Sequence, residues 1–258
     1  MTTEERLEKL ERELAEMKAA KVIRAGGFVL EDENGKLRAG LGMVNDTPML
    51  GLYDENGKTR AVLSVSKDGP SLWLHDENGE RRARLGVSKD GPGLALHDEN
   101  GKGRTILDAA ALVLCDENGR VRAGLDVNKD GPALGLFGED GKLRAILAVA
   151  KDGPKLTLDD ENGKGRAGLV VTKDRSRLWV ADEKGNPRAG VSVFKDGAML
   201  ALHDENGKAR ATLAVVKDGP GLRLYDEKDE TRAGLIVTND GAMLGLYDEK
   251  GKTIWSAP

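Results

Sequence analysis

Hydrophobic and polar positions alternate along most of the chain, in a pattern that repeats at a fixed interval. In the stretch "LGLYDENGKTRAVLSV", residues 50–65, apolar side chains occupy alternate positions on both sides of a polar turn. Alternation with a period of two is typical of β-strands that bury one face. The turn sequence occurs eleven times, and nine of the ten intervals between copies are 22 residues. A fixed period of this kind predicts a repeat protein.

The recurring Asp-Glu-Asn-Gly turn predicts a β-hairpin in each copy. Asn-Gly is a favoured centre of the two-residue type I′ turn that joins antiparallel strands. With Asn56-Gly57 as this centre, apolar residues pair with one another on one face, and a shift of one residue would destroy the match. The predicted pairs are Leu50–Leu63, Gly51–Val62, Leu52–Ala61, Tyr53–Arg60 and Glu55–Lys58.

The pairs on the opposite face support this register. Among the eleven pairs equivalent to Gly51–Val62, eight contain one glycine and none contains two. Cross-strand neighbours therefore share the available volume, as expected for residues in contact.

A second turn, Lys-Asp-Gly-Pro, separates the hairpins. At residues 67–70 it allows either a two-residue turn centred on Asp68-Gly69 or a four-residue loop, and both pair Val65 with Leu72. Pro70 lacks the N–H that would close the tighter turn, so we expect the four-residue loop. The one short interval, 18 residues from Asp98 to Asp116, lacks this turn, and we expect a local bend or bulge there.

A single-layered sheet of this kind needs a partner for its apolar face. Strands of about seven residues are about 23 Å long, and three sheets, one from each of three chains, would enclose a core about 7 Å in radius. We therefore predict an all-β repeat protein of 22-residue β-hairpin units, assembled as an elongated trimeric β-prism or β-helix-like shaft. The alternative is a single-chain, two-sheet β-solenoid with parallel strands. The glycine-containing pairs count against it, and the proline in the second turn counts for it.

The N-terminal segment predicts a short parallel coiled coil over residues 2–20, followed by the β-repeat shaft over residues 21–258. Its oligomerisation residues would be the apolar a and d positions Leu7, Leu10, Leu14 and Met17. Between parallel helices, Arg6 would meet Glu11 and Glu13 would meet Lys18, and both pairs have opposite charge. An amphipathic helix packed on its own domain is the alternative. Leucine at both positions does not separate a dimer from a trimer, but the three-sheet core favours the trimer.

Composition excludes several classes of partner. The net charge is −4 with both signs finely mixed, so there is no basic face for nucleic acid or anionic lipid. No apolar run approaches the ~20 residues of a membrane span, and the N-terminus has no signal-peptide pattern. We expect synthesis in the cytoplasm, with release only as part of a particle or appendage. The absence of glutamine and the 33% of charged residues hint at a thermostable protein.

A short coiled coil followed by short apolar-alternating repeats with glycine-containing turns resembles the trimeric β-structured shafts of viral fibres and other needle-like appendages. The resemblance lies in this pattern, covers most of the chain and includes no motif specific to one family. It implies a structural protein, a rigid homotrimeric fibre or spacer whose partner is itself.

The candidates for chemistry do not predict an enzyme. The segment Gly51–Thr59 has five residues between the first glycine and Gly-Lys, whereas a phosphate-binding loop needs four. Asp54 and Asn56 alternate as in a calcium loop, but no third ligand follows. The histidines, His75, His97 and His203, have no nucleophile or acid beside them in the predicted pairing, and the single cysteine is Cys115. We therefore expect no catalytic residues, no metal and no cofactor.

Large residues that face away from the apolar side suggest a second function, a binding module or adhesin that recognises a glycan or a protein. Its candidate contact residues are Trp73, Trp179 and Arg84. We expect Trp73 to stack with Arg84 and Trp179 to cover Gly190. The recurring arginines from Arg38 to Arg232 are expected to form ion pairs with the turn carboxylates.

Overall fold

The computed structural model describes residues 1–19 and 25–258, and within them one helix precedes 22 strands. Thr2 begins helix α1 with a capping box, since its hydroxyl accepts the N–H of Glu5 at 3.3 Å while the Glu5 carboxylate accepts the N–H of Thr2 at 2.7 Å. Residues 20–24, which include the predicted boundary between helix and repeats, lie outside the described part.

The chain divides into two units, Met1–Gly101 and Lys102–Pro258. The first contains α1 (Thr3–Ala19), β1 (Gly27–Glu31), β2 (Leu37–Val44), β3 (Thr47–Tyr53), β4 (Thr59–Ser66), β5 (Gly69–His75), β6 (Arg81–Ser88) and β7 (Gly91–His97). The second contains β8 (Gly103–Asp108), β9 (Ala111–Cys115), β10 (Val121–Asn128), β11 (Gly131–Phe137), β12 (Leu143–Ala150), β13 (Gly153–Asp159), β14 (Gly165–Val171), β15 (Arg175–Ala181), β16 (Pro187–Phe194), β17 (Gly197–His203), β18 (Ala209–Val216), β19 (Gly219–Tyr225), β20 (Thr231–Thr238), β21 (Gly241–Tyr247) and β22 (Thr253–Ala257).

Within each unit, every strand pairs antiparallel with the strand that follows it, so each unit is an open meander of hairpins. This confirms the all-β hairpin repeat. Because neighbouring strands are antiparallel, the parallel strands of the alternative solenoid do not occur within either unit.

The Asp-Glu-Asn-Gly turn keeps the predicted strand pairs but is built differently. Leu50 pairs with Leu63 and Leu52 with Ala61, as predicted. The tight type I′ turn is wrong, because Gly57 alone of the turn residues has a positive φ, +77°, and its N–H donates to the Asp54 carbonyl at 3.0 Å. The Asp54 carboxylate accepts the N–H groups of Asn56 and Lys58 at 2.9 and 3.0 Å, which holds a wider loop.

A β-bulge next to this turn changes the nearest pairs. Tyr53 lies opposite Thr59, where the sequence predicted Arg60. The same irregularity places His75 opposite Arg81 and His203 opposite Ala209. The extra residue in the second strand is what allows the Asp54-centred loop to join the strands without a change of face further along.

The Lys-Asp-Gly-Pro turn also reverses the chain, but in a tighter register than predicted. Ser66 pairs with Gly69 and Val65 with Pro70, so the loop is Lys67-Asp68 and both predicted alternatives were wrong. The shift is two residues, which keeps every side chain on its predicted face. Because Gly69 closes the turn, the missing N–H of Pro70 does not prevent the reversal. Gly69 has φ +113°, and a β-carbon there would overlap the carbonyl oxygen of Val87.

Several copies reach the same reversal with other residues. Between β2 and β3 the turn is Asn45-Asp46, and both residues have positive φ, 47° and 62°. Between β8 and β9, where a bend or bulge was expected, Leu107 pairs with Leu112 in a complete hairpin. There the Asp108 carboxylate accepts the N–H groups of Ala110 and Ala111 at 2.8 and 2.7 Å. The Asp108 side chain thus holds this turn in place of the usual Lys-Asp-Gly sequence.

The two faces of the strands differ in burial. One face, which we call the leucine face, carries the leucine and valine side chains that pair across both kinds of turn. Leu63 is 48% exposed, Leu147 53% and Leu235 46%. Among the described residues no side chain is less than 2% exposed, and the buried apolar residues are Ala148, Ala181 and Ala201. These three belong to the opposite, outward face, so the described part of a single chain has no leucine core.

Candidate interaction surfaces

The Asp-Glu-Asn-Gly edge of each unit carries a series of side chains that bind one turn to the next, which we call the turn ladder. Arg60 lies 3.5 Å from its own turn's Asp54 carboxylate and donates from Nε to the carbonyl oxygen of His75, at the next turn, at 3.2 Å. Lys58 donates to the carbonyl oxygen of Glu77 at 2.9 Å. Equivalent bonds join Lys36 to Glu55, Arg122 to Phe137, Lys142 to Glu161, Arg188 to His203 and Lys208 to Glu227.

The turn ladder lowers the pKa of its aspartates. The backbone N–H of Lys36 is the main cause at Asp32, and the N–H of Asn34 and the Arg38 guanidinium add to it against partial desolvation. At Asp54 the largest influence is desolvation, which raises the pKa, but the combined donors from Lys58, Asn56 and Arg60 outweigh it, so this pKa is lowered too. The arginines beside these aspartates, Arg38 and Arg60, thus form the predicted ion pairs with the turn carboxylates, at 3.6 and 3.5 Å.

The outward residue Trp73 lies against two guanidinium groups. Arg84, directly opposite on β6, has its Cζ 5.4 Å from the centre of the indole ring, as the predicted stacking requires. Arg81, which the sequence analysis did not include, is closer, at 4.5 Å. Both distances are in the range of cation–π contacts. The signal for Arg81 was present in the sequence, since "ERRAR" is the one copy with three arginines near the turn.

Trp179 has a different role from Trp73. It lies between two glycines, Gly168 on β14 and Gly190 on β16. The prediction that it covers Gly190 was wrong, because its ring lies over Gly168, where a β-carbon would come 2.6 Å from the indole Nε1. No guanidinium is within cation–π distance of Trp179 in the described part of the chain. The ring fills space that a glycine leaves open.

Three further aromatic residues cover glycines in the same way. Tyr53 lies over Gly51 and Tyr247 over Gly245, with the phenol oxygen 2.7 and 2.5 Å from where a β-carbon would be, and Phe137 lies over Gly135 at 3.3 Å. This pairing was not predicted from the sequence. Its signal is the tripeptide Gly-Leu-Tyr or Gly-Leu-Phe, which places the glycine and the ring two positions apart on one face of a strand.

The remaining polar candidates form no recognisable reactive centre. The Nδ1 atoms of His75, His97 and His203 are buried and have no hydrogen-bond partner in the described residues. Cys115 is a half-buried free thiol. Within residues 1–19 and 25–258, no three His, Cys, Asp or Glu side chains are grouped closely enough to hold a metal ion.

Helix α1 exposes three of the four residues predicted to mediate oligomerisation. Leu7 is 58% exposed, Leu10 62% and Leu14 52%. The side chain of Met17 lies outside the described part. In the described residues no helix is both long enough and apolar enough to cross a bilayer.

Comparisons with known proteins give no family. No family model matches the chain, and no curated protein matches it. Among solved structures, a mutant of S. aureus TarM aligns with 62% of this chain at 12% identity and a TM-score of 0.21. TcdB2-TccC3-TEV aligns with 93% of this chain at 13% identity and a TM-score of 0.21. The aligned parts are 23% and 15% of those chains. A protein of unknown function from Desulfotomaculum acetoxidans aligns with 89% of this chain, at 9% identity and a TM-score of 0.18. These scores are too low to support a functional conclusion.

Proposed function

We propose that this chain is a structural protein that forms a parallel homo-oligomer, a trimer in the favoured arrangement, and serves as a rigid fibre or spacer. In this assembly the leucine faces of the chains pack against one another around a common axis. The observation that carries the proposal is the leucine face itself, which repeats through both units while no described leucine is fully buried.

The exposed area of the chain supports this proposal. The chain exposes 18533 Å². A compact monomer of its mass, 27.6 kDa, would expose about 11,000 Å². The difference of about 7,500 Å² is several times the total area of a standard protein interface, about 1,600 Å². An excess of this size, on a chain whose exposed large hydrophobic residues are mostly leucine and valine, is more than a soluble monomer ordinarily leaves open.

Two features support another copy of the same chain as the partner. They are helix α1 and the period of the repeats. Leu7, Leu10 and Leu14 are exposed at coiled-coil spacing. Parallel helices at one end would place the chains in register, so that equivalent leucines meet at each level. A trimer would close three such faces on one another, whereas a partner of another kind would have to match the same 22-residue period.

Sedimentation equilibrium of the full chain tests this proposal. We expect a single species of about 83 kDa, three times the chain mass of 27.6 kDa. A stable monomer at micromolar concentration would refute the oligomer, and a species of twice the chain mass would retain the leucine-face interface but refute the trimer. A chain that begins at residue 25 separates the contribution of α1, since it should assemble more weakly if the helix sets the register.

A further inference from the structure

One group of side chains on the outward face departs from the repeat, and we call it the Trp73 cluster. It consists of Trp73, Arg81 and Arg84. In no other copy is the residue equivalent to Arg81 or to Arg84 charged, and the position of Trp73 carries mostly small residues elsewhere. Residues shared by all copies carry the architecture of a repeat protein. Where several residues that depart from the repeat lie close together in the structure, we expect a local function.

The two arginines of the Trp73 cluster differ from the arginines of the turn ladder. Each ladder arginine lies beside a turn aspartate, as Arg60 does beside Asp54. In the described part of the chain, neither Arg81 nor Arg84 has a carboxylate within ion-pair distance. Arg84 is half-buried, and its Nε is buried without a hydrogen-bond acceptor. A desolvated guanidinium without an acceptor favours an oxyanion, which would satisfy it.

The surroundings of Arg84 are small and polar. Its guanidinium lies over Gly86, where a β-carbon would come 3.2 Å from Nη2, and Gly86 pairs with Gly93 on the next strand. Ser71 pairs with Gly86 on one side and with Ser64 on the other, and the two serine hydroxyls are 3.4 Å apart. The guanidinium fills the space over Gly86, and the two hydroxyls, joined only by this long hydrogen bond, can exchange it for bonds to a polar ligand.

We propose that the Trp73 cluster binds an anionic saccharide through a carboxylate or a sulfate ester. Arg84 and Arg81 bind the oxyanion, Trp73 holds both guanidinium groups and offers an apolar ring edge to the sugar, and Ser64 and Ser71 bind sugar hydroxyls. A polyanion such as nucleic acid fits less well, because the chain carries a net charge of −4 and its turns are rich in carboxylates. The cluster lies on the face opposite the leucine face, so it stays open in the oligomer and does not depend on it.

Isothermal titration calorimetry of the full chain tests this site with four probes, namely sialylated lactose, sulfated lactose, lactose and sodium sulfate. We expect binding of at least one anionic sugar, with lactose and sulfate at least about tenfold weaker. The preferred sugar identifies carboxylate or sulfate ester as the recognised group. Failure of both anionic sugars to bind overturns the proposal, as does lactose or free sulfate binding equally well.

Substitutions locate the binding. We expect Arg84→Ala and Trp73→Ala to weaken binding at least about tenfold, and Arg84→Lys, which keeps the charge but loses the planar fork, to weaken it by less. The matched controls are Arg223→Ala, an outward arginine outside cation–π distance of any ring in the described residues, and Trp179→Ala, an outward ring with no guanidinium stacked on it there. Both controls should bind as the unmodified chain does. An equal loss in Arg223→Ala would show nonspecific charge attraction and would refute the site.

Discussion

The leucine face and the outward face are made by the same strands, yet their side chains differ in how much of them is exposed to solvent. On the leucine face, Leu147 is 53% exposed although its cross-strand partners are leucines. On the outward face Ala148, the next residue, is 8% exposed. In a single chain the leucine face is therefore the more exposed of the two at these positions, and in the proposed assembly other chains cover it.

The two faces also differ in how strictly their residues repeat from copy to copy. In the proposed assembly, leucine and valine repeat along one face because every level presents the same surface to its neighbours. The outward face varies from glycine to tryptophan, and its ring–glycine and ring–arginine contacts are local. A repeat protein built in this way can acquire a ligand site on one face without a change in its assembly.

The largest expected effect comes from a charge on the leucine face. Leu156→Asp would place one carboxylate per chain in an apolar interface, which costs several kcal/mol for each charge. We expect the mass in solution to fall from about 83 kDa to the 27.6 kDa of one chain. The control is Thr157→Asp, the next residue on the same strand, which faces outward and should leave the mass unchanged. An unchanged mass for Leu156→Asp would contradict the claim that the leucine face, and not the outward face, is covered by other chains.

A second expected effect is confined to contacts within one chain. In Gly219→Ala the new methyl group would overlap the carbonyl oxygen of Val237, whereas Gly241, with a similar positive φ of +131°, has no heavy atom within 4 Å of the same position. Both variants bear the cost of the positive φ, and only Gly219→Ala adds the overlap, so we expect it to lose at least about 1 kcal/mol more than Gly241→Ala. Urea denaturation at fixed concentration measures this, and equal losses would show that the close approach is not needed.

A smaller effect is expected from the rings that cover glycines. Tyr53→Ala uncovers Gly51 and its backbone, and we expect a loss of about 1 kcal/mol in the free energy of unfolding. Tyr53→Phe keeps the ring and should change stability little. The oligomer mass should be the same for both variants, and a change of mass would show that the outward face also takes part in assembly.

The smallest expected effect is the loss of thermal stability at low pH. The turn aspartates, including Asp32 and Asp54, have pKa values below their ordinary 3.8, so their stabilisation is present above that value and is lost as the pH falls through the lowered pKa. We expect the melting temperature to be level from pH 7 to about pH 5 and to fall towards pH 2. Replacing turn aspartates with asparagine keeps the backbone hydrogen bonds and removes the titration, so the acid dependence should become weaker. An unchanged profile would assign the acid sensitivity to other groups.

How far the sequence predicted the fold depends on how distinctive each pattern is. The Leu50–Leu63 pairing was predictable because apolar alternation and shared volume agree on one register. The second turn was placed two residues away from its true register, since a pattern with a period of two gives the same faces for both. The Asp54-centred loop was missed because side-chain hydrogen bonds to the backbone, rather than the Asn-Gly preference, decide its shape.

The outward face was predictable only in part. The contact between Trp73 and Arg84 followed from direct cross-strand pairing. Trp179 has a glycine on both sides, and only the rotamer of the indole, which no sequence pattern encodes, decides that it covers Gly168. Arg81 reaches Trp73 because the β-bulge moves it, and the bulge itself was not predicted.

The central claim, that copies of this chain cover the leucine face, is tested most directly by the reactivity of cysteines placed on the two faces. With Cys115→Ser removing the natural thiol, Leu147→Cys on the leucine face is compared with Lys155→Cys, an exposed outward position on the neighbouring strand. A maleimide reagent should label the Leu147→Cys variant at least about tenfold more slowly than the Lys155→Cys variant, because burial restricts access to the thiol. The two rates should become equal in urea. Equal rates in the native protein would show that the leucine face is open to solvent and would contradict the account.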